Sequence, residues 1–230
     1  MKKIYEVNGK GIEVEIQTGT YDEVMAKEVL SQDYYELYKH LRANDRVLDL
    51  GGEVGLFTVM CVELGAEKVV AFEPLTQHIE VFERNTQRYG DKVELVKMAI
   101  TGDGRKVYMN LKASEVEEGG KVYIHTGDTD IYGKGGEPVK SMTYESIIEK
   151  YGEFDIVKLD IEGAEMEVFK SMESNMLLPR VFTMEYHGDS GEQTEKNGKY
   201  IKELLSGWGY TVELSWARGT TQGRIVAYKA

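Results

Sequence analysis

RVLDLGGEVGLFT at residues 46–58 is an apolar run that gives way abruptly to three glycines. Val47, Leu48 and Leu50 predict a short buried strand, and Gly51, Gly52 and Gly55 predict a turn where the backbone can approach a ligand. A helix is expected from about residue 54 to 64. A strand, glycine turn and helix suit a nucleotide-like ligand because glycines carry no Cβ and a helix start offers unpaired N–H groups. The spacing is not the full dinucleotide pattern, and a plain tight turn of an α/β protein reads the same way. Glu73 narrows the choice. It ends the next apolar run, KVVAFEP at 68–74, close to the roughly 20-residue interval after Asp49 at which an acidic side chain meets ribose hydroxyls.

Further along, strands at 68–72 and 93–98 alternate with a helix at about 76–89. The same rhythm returns with a helix at 143–151, a strand at 155–160 and a helix at 163–172, then a strand at 181–186 and a helix at 193–207. This alternation predicts a parallel sheet with helices on both faces. Two strands at 210–216 and 223–228 close the chain as an antiparallel hairpin, where a dinucleotide dehydrogenase would carry a second βαβ half.

Two regions break the rhythm. Residues 4–16 read as a small hairpin around Asn8 and Gly9. Thr20 and Glu23 fit a capping box, and a second helical piece is expected at 33–41. Between 103 and 140, RKVYMNL and KVYIH alternate in the two-residue period on either side of an acidic turn at 114–120, with a glycine-bearing loop at 127–136. The 230 residues are read as one domain, with 1–45 an N-terminal hairpin and helical lid and 103–140 an inserted hairpin and loop.

A formal charge of −12 weighs against contact with a phosphate backbone and favours a small-molecule partner over nucleic acid. No stretch has the length of a membrane span, and the alternating N-terminus lacks the apolar core of a signal peptide, so a cytoplasmic protein is expected. The single cysteine, Cys61, excludes an intramolecular disulfide and a cysteine zinc cluster.

Several motifs coincide: GTYD at 19–22 with Tyr34 and Tyr35, DLGGEVG at 49–55 with Phe57 and Thr58, FEP at 72–74, Asn85, MAI at 98–100 with Gly102, KLDIEGAE at 158–165 and MEYH at 184–187. Together they resemble the FkbM family of S-adenosylmethionine-dependent methyltransferases, from about residue 19 to 186. KLDIEGAE, preceded by MTYESII at 142–148, is the most distinctive of them. The chain departs from the family at Gly52 and Glu53, where members usually carry a small residue and then Asn. An extra carboxylate there suits a cofactor whose ammonium and sulfonium are both cationic.

The resemblance implies a Rossmann-like class I methyltransferase fold: a mostly parallel seven-stranded sheet with a C-terminal antiparallel hairpin. It also implies methylation of a small-molecule hydroxyl, on a sugar or polyketide-like product. A cofactor-binding module without catalysis, or a macromolecular acceptor, is the alternative. Asp49, Gly51, Gly52, Glu53 and Gly55 would hold the methionine end of the cofactor. Glu73 and Pro74 would hold its ribose, and Met98 and Ala99 its adenine. Asp49 is alternatively a cap for the turn, and Met98 core filling. Asp160 and Glu162 would face the cleft where the fourth strand meets its helix, with Asp160 serving both cofactor and chemistry.

Glu185 and His187, two apart on a strand, share a face and are candidates for the base that deprotonates the acceptor; His187 has the better-suited unperturbed pKa. Tyr21, Asp22, Tyr34 and Tyr35 resemble a gate over the acceptor, or else form an amphipathic face on the sheet. Asp160, Glu185 and His187 are also a conceivable set of metal ligands, but no paired histidine or cysteine spacing supports one and no metal is expected. His40, His78 and His125 read as surface or flank residues.

Overall fold

The structure is a computed structural model; it describes the chain except residues 18–19, 119–120, 131–135, 174–175 and 230, and only the backbone of 110–118, 121–130 and 137. A hairpin of β1 (Lys2–Val7) and β2 (Lys10–Glu15) precedes helices α1 (Asp22–Gln32) and α2 (Leu37–His40). The α/β alternation follows as β3 (Arg46–Leu50), α3 (Leu56–Glu63), β4 (Lys68–Phe72), α4 (Thr76–Thr86) and β5 (Val93–Val96). Short β6 (Ala99–Ile100) leads to β7 (Val107–Glu118), β8 (Lys121–Asp130), β9 (Glu137–Val139) and β10 (Ser141–Met142). The chain ends with α5 (Tyr144–Tyr151), β11 (Ile156–Leu159), α6 (Glu165–Ser171), β12 (Val181–His187), α7 (Gly191–Gly207), β13 (Thr211–Trp216) and β14 (Gln222–Tyr228).

The central sheet has seven strands in the order β13-β14-β12-β11-β3-β4-β5. β14 runs antiparallel to both of its neighbours, β13 and β12; the pairs from β12 to β5 are parallel. This is the mostly parallel sheet with a terminal antiparallel hairpin that the sequence predicts. The strand residues alternate between two cores, as side chains two apart on a strand must. Val47 joins Val69, Ile156 and Val181 under α1 and α3, while Leu48 and Leu50 join Val70, Phe72, Val157 and Phe182 under α5, α6 and α7. Each such buried side chain stabilises the fold by about 1.5–3 kcal/mol. By the same alternation Asp49 falls on the α3 face, beneath the turn. None of the described helices is long and apolar enough to cross a membrane.

The inserted region makes a three-stranded sheet, β8-β7-β9, beside the central one. It is tied on by a small cluster of Leu75, Ala99, Val107, Met109 and Ala164, and by the parallel pairing of β10 with β6. Residues 114–118, expected as a turn, continue β7, and 127–130, expected as loop, continue β8; residues 131–135 lie outside the described residues. The antiparallel ladder carries pairing on through both stretches, past a register shift between Lys112 and Ser114.

The N-terminal flank departs further. The capping box does not form, because α1 starts at Asp22 with Tyr21 as an uncapped N-cap. The Thr20 hydroxyl donates instead to the Gln17 carbonyl, 2.8 Å away. The helix expected at 33–41 is broken, since Asp33 and Glu36 both take left-handed backbone angles, φ 53° and 56°. Asp33 accepts hydrogen bonds from the Leu37 and Tyr38 amides at 2.6 and 2.9 Å and thereby starts α2 four residues late. Asn85 on α4 fastens this flank to the turn: its amide donates to the carbonyls of Glu15 and Val54, and its oxygen accepts from the Glu15 amide.

Candidate functional site

The glycine turn sits on the carboxyl edge of the central strands. The Gly51 and Gly52 amides both donate to the Phe72 carbonyl, at 3.0 and 2.8 Å, which curls the chain over the end of β4. Gly51 has φ +88° and presses on β11: a Cβ there would stand 1.8 Å from the Asp160 carbonyl oxygen. Cβ atoms at Gly52 and Gly55 would meet the Phe82 ring. All three glycines are therefore closely packed against neighbouring protein, and of the turn's residues Gly51 and Glu53 line the adjoining cleft.

Beneath the turn lies a buried ion pair set by strand register. Lys158 on β11 pairs opposite Asp49 on β3, so its Nζ stands 3.4 Å from Asp49 Oδ1 and donates to the Gly51 carbonyl at 2.5 Å. Asp49 is fully buried and its Oδ2 accepts from Thr58 Oγ1 at 2.7 Å. Burial pushes the Asp49 carboxyl up while Lys158 opposes it. Burial alone would lower Lys158, but Asp49, Asp160 and Glu53 more than offset it and hold the ammonium charged.

A first cleft, of about 510 Å³ out to its open mouth, is walled by Phe72, Pro74, Leu75, Met98, Ala99, Ile100, Met109 and Ile161. Its polar lining is Glu53, Glu73, His78, Asp160 and Glu162. Glu73 is almost wholly buried, and its two oxygens accept from backbone amides: Oε2 from Glu53 at 2.8 Å and Oε1 from Leu75 at 2.9 Å. Glu53 takes a left-handed backbone, φ 45°, to make that contact. Burial pushes its carboxyl up to about 8, with His78 and Lys158 opposing and Asp160 adding to the rise.

A second cleft, about 980 Å³ by the same measure, adjoins the first through a shared wall of Glu53, Asp160 and Glu162. Tyr21, Met25, Glu28, Val29, Tyr34, Tyr35, Glu185, His187, Thr221 and Gln222 complete it. The Tyr35 hydroxyl donates to Asp160 Oδ2 at 2.7 Å and the Tyr34 hydroxyl to Glu185 Oε2 at 3.0 Å. His187 is ringed by carboxylates: Nδ1 lies 3.2 Å from Glu165, and Nε2 lies 3.5 Å from Glu185 and 3.8 Å from Glu162. Burial would lower its pKa, but Glu165, Glu185 and Glu162 raise it well above the ordinary value. Burial likewise pushes Glu162 up, against the pull of His187. One oxygen each of Asp160 and Glu162 and one nitrogen of His187 lie within 4.8 Å of one another, a grouping that would ligate a cation only with the imidazole neutral.

Residues 43–212 match the family described as the methyltransferase FkbM domain. The chain belongs to this family. AMB antimetabolite synthetase AmbE of Pseudomonas aeruginosa is 23% identical over 84% of this chain and 10% of that protein, so the chain spans about a tenth of that relative's length. Among solved structures, precorrin-6y C5,15-methyltransferase from Geobacter metallireducens GS-15 is similar in fold, with a TM-score of 0.51, 12% identity, and 86% of this chain and 87% of that one covered.

In this FkbM domain the residues singled out from sequence divide in three. Gly51, Glu53, Glu73, Pro74, Met98, Ala99 and Asp160 line the first cleft, and Tyr21, Tyr34, Tyr35, Glu162, Glu185 and His187 the second. Asp49, Gly52 and Gly55 line neither: Asp49 is the buried counter-ion of Lys158 and the two glycines make room for Phe82. Asp22 also lies outside the clefts, accepting from the Gln17 amide at 3.0 Å. His187, expected as the base, is ringed by three carboxyl groups that favour its protonated form. His40 and His78 are buried rather than on the surface, and the His125 side chain lies outside the described residues. Sequence reasoning missed His78, Met109 and the pair Thr221 and Gln222. His78 alone left a trace, in the first turn of the helix that follows FEP.

Proposed function

We propose that this chain methylates a hydroxyl of a small molecule, such as a sugar or polyketide-like product, with S-adenosylmethionine as donor. The observation that carries the reading is the meeting of an apolar, carboxylate-bearing cleft with a polar one at Asp160, Glu53 and Glu162. The first cleft fits the cofactor chemically. Phe72, Leu75, Met98 and Met109 give apolar walls for a purine. Glu73 retains one acceptor direction on each oxygen for a pair of vicinal hydroxyls after its two backbone bonds. When bound, S-adenosylmethionine supplies an electrophilic methyl group beside a cationic sulfur.

The chain's own residues then have three tasks. Asp160 on the shared wall favours the positive charge of the donor, and Glu53 and Glu162, both pushed up by burial, add to it as they ionise. Tyr34 and Tyr35 fix the orientation of Glu185 and Asp160. Asp160, which lines both clefts, takes the proton of the acceptor hydroxyl, since His187 is already protonated; the His187 imidazolium stands ready to steady the developing oxyanion. A net charge of −12 and an acidic second cleft support a small acceptor over nucleic acid. The similarity to part of an antimetabolite synthetase supports the same class.

Calorimetric titration with S-adenosylhomocysteine is the first test: the intact protein binds and Glu73→Ala does not. Failure of the intact protein to bind overturns the reading. Turnover of hydroxylated acceptors by the wild type and loss of about 10²-fold or more in kcat for Asp160→Asn would support the proton acceptor; an unimpaired variant removes Asp160 from that role. Binding without turnover across the panel would leave a cofactor-binding module.

A further inference from the structure

His78 has an unusual place. It sits in the first turn of α4, is only 6% exposed and lines the first cleft, yet its Nδ1 is buried without a hydrogen-bond partner. That nitrogen stands 3.5 Å from Glu73 Oε1, at ion-pair rather than hydrogen-bond distance. The Leu75 amide takes one acceptor direction of Oε1 and the Glu53 amide one of Oε2. His78 thus sets its ring nitrogen beside Oε1, outside hydrogen-bond geometry.

We propose that His78 is a positioning residue: its imidazolium neutralises the buried Glu73 and orients it so that one lone pair on each oxygen stays open for the two ribose hydroxyls of the cofactor. This rests on the reading of the first cleft as the cofactor end. Three acidic groups act on the charge of the ring: Glu73 after β4, which lies against it, and at longer range Glu53 from the glycine turn and Asp22 from α1. Burial would lower its proton affinity, but these carboxylates more than offset it and raise the pKa to about 8. Above that pH the neutral ring turns either a lone pair or a hydrogen-bonding N–H toward Oε1. The first repels the carboxylate and the second no longer neutralises it.

The test is the affinity of the whole protein for S-adenosylhomocysteine between pH 6.5 and 9. Wild-type affinity is expected to fall about fivefold as pH rises through 8, the scale of one charge-assisted contact. His78→Gln binds more weakly at pH 7 and shows no fall, and Glu73→Gln likewise shows none. Because Glu53 titrates in the same range, the series is repeated on Glu53→Gln, where the wild-type fall must persist. A His78→Gln protein that is uniformly weaker but keeps the wild-type fall has lost only structure, and overturns the proposal; so does a flat wild-type profile. A second measurement does not depend on how that variant folds: NMR titration of the His78 ring should give a midpoint near 8 in the wild type and near the ordinary value in Glu73→Gln. An equal midpoint in both overturns the proposal. No binding by the wild type at any pH takes down the cofactor reading as well.

Discussion

The first cleft holds its carboxylate Glu73 on two backbone amides, whereas the second holds Asp160, Glu162 and Glu185 on tyrosine hydroxyls and one imidazole. Backbone donors come from a short, continuous stretch of chain and are fixed once the turn folds. Side-chain donors come from the segment before α2 and the end of β12, the carboxyl groups they meet from the chain after β11 and from β12, and their charge states depend on one another. The first cleft is consequently a receptor whose carboxylate is anchored by local geometry, with His78 adding charge beside it. The second is an electrostatic balance, poised by how many protons its carboxylates and His187 share. The two can be broken separately, and the sizes of the effects should differ.

The largest effect is expected beneath the first cleft. Lys158→Met leaves the fully buried Asp49 without its cation and frees the Gly51 carbonyl, a loss of about 3–5 kcal/mol in denaturant unfolding. Adding Asp49→Asn removes the stranded charge, so the double variant should be more stable than Lys158→Met alone. Equal stabilities would mean that register, not charge, sets this floor. Next comes Gly51→Ala, where a Cβ 1.8 Å from the Asp160 carbonyl at positive φ forces β3 and β11 apart, at a cost of about 3 kcal/mol. Because the displaced atom belongs to the shared wall, this variant should weaken S-adenosylhomocysteine binding as well as stability. A variant that keeps both would show the turn to be more compliant than its packing indicates.

The same contrast explains what could be read in the sequence. RVLDLGGEVGLFT and KLDIEGAE each carry a strand, a turn and a helix start within one stretch, and both lie where the pattern puts them. Asp49 is harder to read, because its position at a strand end suggests the ligand, while its alternation with Val47 turns it under α3, toward Thr58. The surroundings of His187 were out of reach for a different reason. Its ordinary pKa invites the role of base, but the charge around it comes from Glu165, Glu162 and Glu185, which only the fold brings together. His78 and Met109 had no period or spacing to mark them: one depends on the direction of α4, the other on how the inserted sheet folds back onto Ala99 and Leu75.

Within the second cleft, His187→Gln should cost about 2 kcal/mol at pH 6, where a charged hydrogen bond to buried Glu165 is lost. The folded-state pKa of His187 is raised, so its contribution is full below the ordinary histidine value near 6.5 and disappears as pH rises through the folded value. The stability gap between wild type and variant should therefore narrow with increasing pH. A gap that stays constant from pH 6 to 9 would mean the ring is held by packing alone.

The smallest effect separates the two tyrosines. Each loses one hydrogen bond to a carboxylate when changed to Phe, worth about 1–2 kcal/mol, and their rings pack edge to face on each other at 5.1 Å. They differ in what they orient: Tyr35 holds Asp160, which lines both clefts, whereas Tyr34 holds Glu185, which lines only the second. Tyr35→Phe should thus weaken S-adenosylhomocysteine binding by several-fold, and Tyr34→Phe should leave it unchanged while raising KM for the acceptor. Equal losses of cofactor affinity in the two variants would erase the division between the clefts, because a side-chain network spanning both would then have to act as one unit.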